Sequence, residues 1–244
     1  MKLKTLSLAS LAASAMVGAA SAATTISYSY QTITSSTDMS WVSPTGATSV
    51  VAFNMGSSTA STSFGSVNWL TTYAPAAGNS DNSITMNFHI PSVAWAQNYD
   101  GFYTGTTANS ILATGNYRGE TTCQLDLNGF TVGQEYLVQF VVADDRNEWW
   151  GPVGRTVTID GFSANIASQD ASAYQYAYGN GSYAVVTARF TPDAGDTNFS
   201  FRPLVNGGDL GVQVNAVQVL TIPEPSATLL GGLGMLALLR RRRA

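Results

Sequence analysis

The feature that most constrains this chain is strict period-two alternation. In Gly133–Val142 (GQEYLVQFVV) the residues Tyr136, Val138, Phe140 and Val142 fall on one side of an extended chain, while Leu137 and Val141 thicken the other. A strand apolar on both sides belongs in the middle of a sheet, so this one is expected to be central. Ile84, Met86, Phe88 and Ile90 alternate in the same way within SITMNFHI. GRTVTIDG, SYAVVTARFT and TNFSFRP continue the pattern, each bounded by Gly, Asn, Asp or Pro. Helical periodicity is nearly absent from the body. The pattern predicts an all-β fold, a single antiparallel β-sandwich of short strands. In GVQVNAVQVLTI, Val212 and Val214 set one phase and Val217 and Val219 the other, which predicts a bulge at Asn215–Ala216. Ser92–Gly119 is the least regular stretch.

The ends of the chain read differently. Met1–Ala22 has Lys2 and Lys4, an apolar Leu6–Val17 and an Ala20-Ser21-Ala22 site. That is the form of a secretory signal peptide cut after Ala22 by signal peptidase. At the other end, Pro223 and Pro225 fix their own backbone and push Ile222 and Glu224 towards extended conformations, so the folded body is expected to stop there. Ser226–Leu239 carries no charge, and Arg240, Arg241, Arg242 and Arg243 follow. As a helix that apolar run is about 21 Å long against a hydrocarbon core of roughly 30 Å, a marginal span helped by snorkelling arginines. The positive-inside bias would keep the arginines cytoplasmic and the body outside. The expected organisation is therefore a signal peptide at 1–22, a β-sandwich domain at 23–221 and a tail at 222–244, with transient membrane insertion through the tail.

Charge narrows the partners. Lys2, Lys4 and the four terminal arginines lie in the ends; the body keeps five arginines, no lysine and fourteen acids, a net charge of −9. This argues against nucleic acid, whose phosphates need basic side chains. It also leaves no lysine for a phosphate-binding loop. Cys123 is the only cysteine, so export brings no internal disulfide framework; a small buried hydrophobe and an intermolecular disulfide are both open for it. His89 is the only histidine, which excludes a two-histidine zinc motif, and any Ser-His-Asp triad would have to use it without a G-x-S-x-G elbow.

Two constellations stand out as binding candidates. Asp144, Asp145, Asn147 and Glu148 follow the central strand and offer clustered oxygens for Ca²⁺, although not in EF-hand register; a solvated strand-end loop is the alternative. Trp149 and Trp150 come next, and Tyr174, Tyr176 and Tyr178 recur at every second position. Exposed, such aromatics stack on sugar rings; buried, they are sandwich packing. Gly179-Asn180-Gly181 is expected to turn the chain so that Tyr183 pairs back across a hairpin. With fourteen acids, carboxylate pairs at glycosidase spacing arise by chance, and no pair is marked out. The expectation is a protein that is not an enzyme, with no cofactor beyond the candidate Ca²⁺.

The three-part tail, Pro223-Glu224-Pro225-Ser226, then Thr228–Leu239, then Arg240–Arg243, closely resembles the PEP-CTERM sorting signal of Gram-negative bacteria. The resemblance implies recognition by an exosortase, cleavage near Pro-Glu-Pro, and release or attachment at the cell surface or outer membrane, or in the extracellular matrix. It also implies association with exopolysaccharide. LNGFTVGQEYLVQFVVADDRN, GRTVTIDG, ARFTPDAGDTNFSFRP and VNAVQV resemble the bodies of many secreted PEP-CTERM proteins. That likeness, over Leu112–Leu220, implies a jelly-roll domain of the galactose-binding-like kind and leaves the ligand open.

Overall fold

In the computed structural model of the chain, the described residues are 24–33, 40–55, 62–65, 67–72, 79–81, 84–89, 95–96, 116–117, 124–142, 156–163, 169–170, 174–175, 183–206 and 213–223. All regular structure among them is strand. In chain order the strands are β1 (Ser27–Ile33), β2 (Thr48–Met55), β3 (Thr62–Phe64), β4 (Val67–Thr72), β5 (Asn79–Asp81) and β6 (Ile84–His89). Then come β7 (Trp95–Ala96), β8 (Asn116–Tyr117), β9 (Gln124–Asn128), β10 (Glu135–Val142), β11 (Thr156–Phe162) and β12 (Gln169–Asp170). The series ends with β13 (Tyr174–Gln175), β14 (Tyr183–Phe190), β15 (Asn198–Asn206), β16 (Gln213–Val214) and β17 (Ala216–Ile222).

They form a first sheet ordered β1-β14-β10-β17-β2-β4-β3 and a second ordered β12-β11-β15-β9-β6-β5, with β13 also on β11. A small third sheet is ordered β16-β8-β7. The two large sheets form an all-β sandwich. β10 lies inside the first sheet, paired to β14 on one side and β17 on the other, as its two apolar faces require. Between the sheets, Tyr136, Val138, Phe140 and Val142 meet Ile84, Met86, Leu125, Leu127, Ile159, Phe199 and Phe201. Burying one large side chain of this kind contributes about 1.5–3 kcal/mol.

The sheet is not wholly antiparallel as expected, because β4 runs parallel to β2, with Phe53 opposite Leu70. The order of reversals explains this. β3 lies outermost and pairs antiparallel with β4, which slots between β3 and β2 and so takes the direction of β2. The return from β3 to β4 passes through Gly65 at φ +59°, where a Cβ would come 2.7 Å from Val42 Cγ1. Only glycine fits both constraints.

The phase change near Asn215 is real but is a change of sheet. β16 belongs to the small sheet and β17 to the large one, while Asn215 bridges them, its N–H donating to the Val141 carbonyl (2.8 Å) and its carbonyl accepting from Met55 N–H (2.9 Å). A register shift does occur, further along, where β17 meets β2 between Val219 and Leu220. Tyr183 also departs from expectation. It pairs with Ile33 on β1, whereas Tyr174 sits on β13 beside Val157 of β11, in the other sheet.

A second core covers the outer side of the first sheet. Trp41 and Val42 lie over Val141, Val185, Ala52, Ala216, Trp69 and Tyr183, all buried. Trp41 Nε1–H donates to the Tyr183 hydroxyl (2.8 Å), and the Gln139 and Gln218 side-chain amides donate to the carbonyls of Trp41 (2.9 Å) and Val42 (3.1 Å). Gln139 and Gln218 are themselves opposite each other in register. The segment is thus held by apolar burial and by backbone carbonyls that would otherwise be stranded.

Candidate functional site

Strand direction sorts the molecule into two ends. Ser27, Arg189, Glu135, Ile222 and Thr48 lie together at one end of the first sheet. Ile33, Tyr183, Val142, Ala216 and Asn54 lie at the other. The second sheet shares this frame. Asn128 and Asn198 are at the Ile222 end, where Gly129 and Phe130 N–H both donate to the Thr197 carbonyl (3.1 and 3.0 Å). Thr156, Asn206 and Gln124 are at the Val142 end.

At the Ile222 end the connecting loops are short and bonded to one another. Gly133 N–H donates to the Pro192 carbonyl (2.9 Å), and Asp193 N–H donates to Thr24 Oγ1 (3.0 Å). Phe130 is buried edge-on against Tyr136, Phe190 and Phe199, at centroid distances of 4.8, 5.2 and 5.4 Å. The Tyr136 hydroxyl accepts from Thr131 N–H (3.1 Å). Glu135 and Arg189 form an exposed ion pair of 2.6 Å, and the carboxylate holds the guanidinium pKa above its ordinary value. Gln134 Nε2–H donates to the carbonyls of Ile222 (2.7 Å) and Glu135 (3.0 Å), so the last residue of β17 is fastened where the tail begins. Pro223, the next residue, is exposed.

The candidate binding segments are anchored at the opposite end. The chain leaves β10 at Val142 and returns on β11 at Thr156, so the segment bearing Asp144, Asp145, Asn147, Glu148, Trp149 and Trp150 starts and finishes there. Those six residues lie outside the described residues, as do Tyr176 and Tyr178. Tyr174 is at the same end, opposite Val157, and the stretch holding Tyr176 and Tyr178 returns at Tyr183. The segment from His89 to Gln124, which contains Cys123, is also anchored there. Ala22, Cys123, Glu224, Pro225 and Arg240–Arg243 lie outside the described residues, together with the expected tail helix. Among the described residues no helix is long and apolar enough to cross a membrane, and no group of three His, Cys, Asp or Glu side chains converges.

One polar cluster escaped the sequence reading. On the outer side of the second sheet, Asp126 Oδ1 accepts from Ser200 Oγ (2.6 Å) and from Gln124 Nε2 (2.7 Å). Nearby, Arg202 pairs with the buried Asp160 at 2.5 Å and lies 4.3 Å over the Phe162 ring. A hollow of about 340 Å³ opens beside Asp126, Asn128, Ser163, Asp196, Asn198 and Ser200, and Ser163 Oγ donates to Asp196 Oδ1 (2.6 Å). The carboxylates that line it already accept hydrogen bonds within the fold. The only sequence signal is the alternation of Gln124, Asp126 and Asn128 with the buried Leu125 and Leu127.

No curated protein matches this chain. Among solved structures it is similar to the ANX2 ectodomain from Arabidopsis thaliana, with TM-score 0.45, 11% identity, and coverage of 73% of this chain and 51% of that one. It is also similar to plant receptor-like kinase ANX2, with TM-score 0.37, 11% identity, and coverage of 73% and 49%. The chain thus spans about half the length of the structures it matches. Residues 221–243 match the PEP-CTERM protein-sorting motif, starting on the last two residues of β17, and the chain is an exported protein carrying a C-terminal exosortase-directed sorting signal.

Proposed function

We propose that this is a non-catalytic interaction protein of the cell surface or extracellular matrix, carried by its β-sandwich and delivered by its sorting signal. The observation that supports this is the opposition of the two ends. The sorting signal leaves at Ile222, and the segments bearing the candidate contact residues are anchored at the Val142 end. A domain held by its tail would then present that end outward. The rigid sandwich between them supplies separation and a fixed orientation.

Glycan binding is the more specific form of this reading, with Trp149, Trp150, Tyr174, Tyr176 and Tyr178 as stacking surfaces and Asp144–Glu148 as a Ca²⁺ loop. It is supported by the common anchoring of those two segments and by the acidic, lysine-free body, which suits neutral sugars or divalent cations rather than polyanions. The test is a polysaccharide and glycan panel on the exported protein, with and without Ca²⁺. Saturable binding lost in Trp149→Ala and Trp150→Ala is the expected result. A folded sample that binds no glycan would remove the glycan reading and leave protein–protein contact in the matrix as the form of the interaction. Hydrolysis of any glycan on the panel would overturn the non-catalytic assignment.

A further inference from the structure

The hollow beside the second sheet is made of polar side chains that the fold already holds in place. Asp126, Asn128, Asn198 and Ser200 come from the neighbouring strands β9 and β15, with Asn198 opposite Asn128 and Ser200 opposite Asp126. Ser163 follows β11, and Asp196 closes the hollow from the loop before β15. That loop is pinned. Asp193 Oδ1 accepts from Gly195 N–H (2.9 Å), and the Thr197 carbonyl accepts from Gly129 and Phe130 N–H (3.1 and 3.0 Å). The lining side chains are pinned as well, because Ser200 and Gln124 donate to Asp126 Oδ1 and Ser163 donates to Asp196 Oδ1. A site held in this way has little freedom left to lose when a ligand arrives.

The chemistry of the lining selects the ligand. Ser163 and Ser200 have given their hydrogens to the carboxylates, so what they and the carboxylates offer is acceptor oxygen. The side-chain amides of Asn128 and Asn198 take no part in the hydrogen bonds that tie the site together, and each brings two N–H donors beside an acceptor. Two carboxylates with no cation among the lining residues repel an anion, and Arg202, two positions beyond Ser200, is engaged by Asp160. The one apolar lining residue, Phe199, is buried in the inter-sheet core, so an apolar ligand finds no surface to pack on. An ammonium would use the acceptors and leave the amide donors idle. Adjacent hydroxyls on a neutral ligand, each a donor and an acceptor, match both sets. At about 340 Å³ the hollow is at the small end of ligand sites, which run from about 300 to 1,000 Å³. We propose that it binds a single neutral sugar unit through neighbouring hydroxyls. The site is at the Ile222 end and shares no residue with the segments bearing Trp149 and Tyr176, so either can fail without the other.

The test is an NMR titration of the purified, isotope-labelled exported protein with neutral monosaccharides and with their uronates. The expected result is a saturable shift of the amides of residues 126–128, 163 and 195–200 with at least one neutral sugar. Titration to about 100 mM is enough to fill a site with a Kd of about 10 mM. The uronate of the same sugar should bind at least about tenfold more weakly, because its carboxylate meets Asp126 and Asp196. Asn128→Ala and Asn198→Ala should each weaken binding about three- to tenfold and keep the native thermal midpoint, while Trp149→Ala leaves binding unchanged. The proposal is overturned if no neutral sugar shifts these amides, or if a uronate binds as tightly as its neutral parent. Full affinity in the combined Asn128→Ala and Asn198→Ala form would overturn it as well. Shifts confined to the Val142 end, or a titration lost in Trp149→Ala, would give the sugar to the aromatic segments instead and remove this site.

Discussion

The two ends of the sandwich carry different parts of the chain. At the Ile222 end, loops of a few residues are bonded backbone to backbone, packed on Phe130 and closed by side chains from Thr24, Gln134 and Glu135. At the Val142 end, β10 stops at Val142 and β11 starts at Thr156, while β6 stops at His89 and β9 starts at Gln124, so the strands that flank the candidate binding segments end there. The difference teaches where each task sits. The first end fixes the point at which the sorting signal emerges, and sequence change there should cost stability. The second is where the strands that flank the candidate binding segments end, and change in those segments should cost binding while sparing the fold.

Phe130→Ala should break the first half of that contrast hardest. It empties a buried site among three aromatic rings, at a cost of about 3–5 kcal/mol, read as a fall in the thermal midpoint of about 6–20 °C. Arg202→Ala, in the second sheet, leaves the Asp160 carboxylate buried without its cation. The expected loss is about 3 kcal/mol by chemical denaturation, and Asp160→Asn combined with Arg202→Ala should recover part of it. Tyr136→Phe removes only the hydroxyl that accepts from Thr131 and should cost about 1–2 kcal/mol in the same assay. Gln134→Ala should cost about 1 kcal/mol and show more clearly in amide exchange, as faster exchange confined to the last residues of β17. Smallest of all, Trp149→Ala and Trp150→Ala should stay within about 0.5 kcal/mol of the native stability while binding falls. A large destabilisation from either tryptophan would place it in a core and erase the contrast.

Much of the inter-sheet core was legible because burial in a strand is written at period two. Ile84, Met86, Tyr136, Val138 and Phe140 point inward as their spacing requires, and β10 is internal because both its faces are apolar. What was not legible depends on partners far away in sequence. Trp41 and Val42 sit in a Ser-, Pro- and Gly-containing stretch that reads as a loop, yet their carbonyls are held by Gln139 and by Gln218, the latter 176 residues away from Val42. The Gly-Asn-Gly turn suggested a local hairpin for Tyr183, but Ile33 and Trp41 claim it from across the chain. The pairing of Asp126 with Ser200, 74 residues away, gave no sign beyond alternation. The sorting motif was legible because it is a run of linear sequence, matched over residues 221–243.

The central claim is that the end opposite the tail is the one that meets partners. The direct test is photo-crosslinking in the intact surface layer or matrix. One form of the full chain carries the crosslinking residue at Trp150, in a segment anchored at the Val142 end. Another carries it at Val132, which is 47% exposed at the Ile222 end. The account predicts abundant crosslinks to matrix components from Trp150 and few from Val132 once the tail has been processed. Crosslinks to the matrix that form from Val132 and not from Trp150 would contradict it, and would make the tail end the interaction surface.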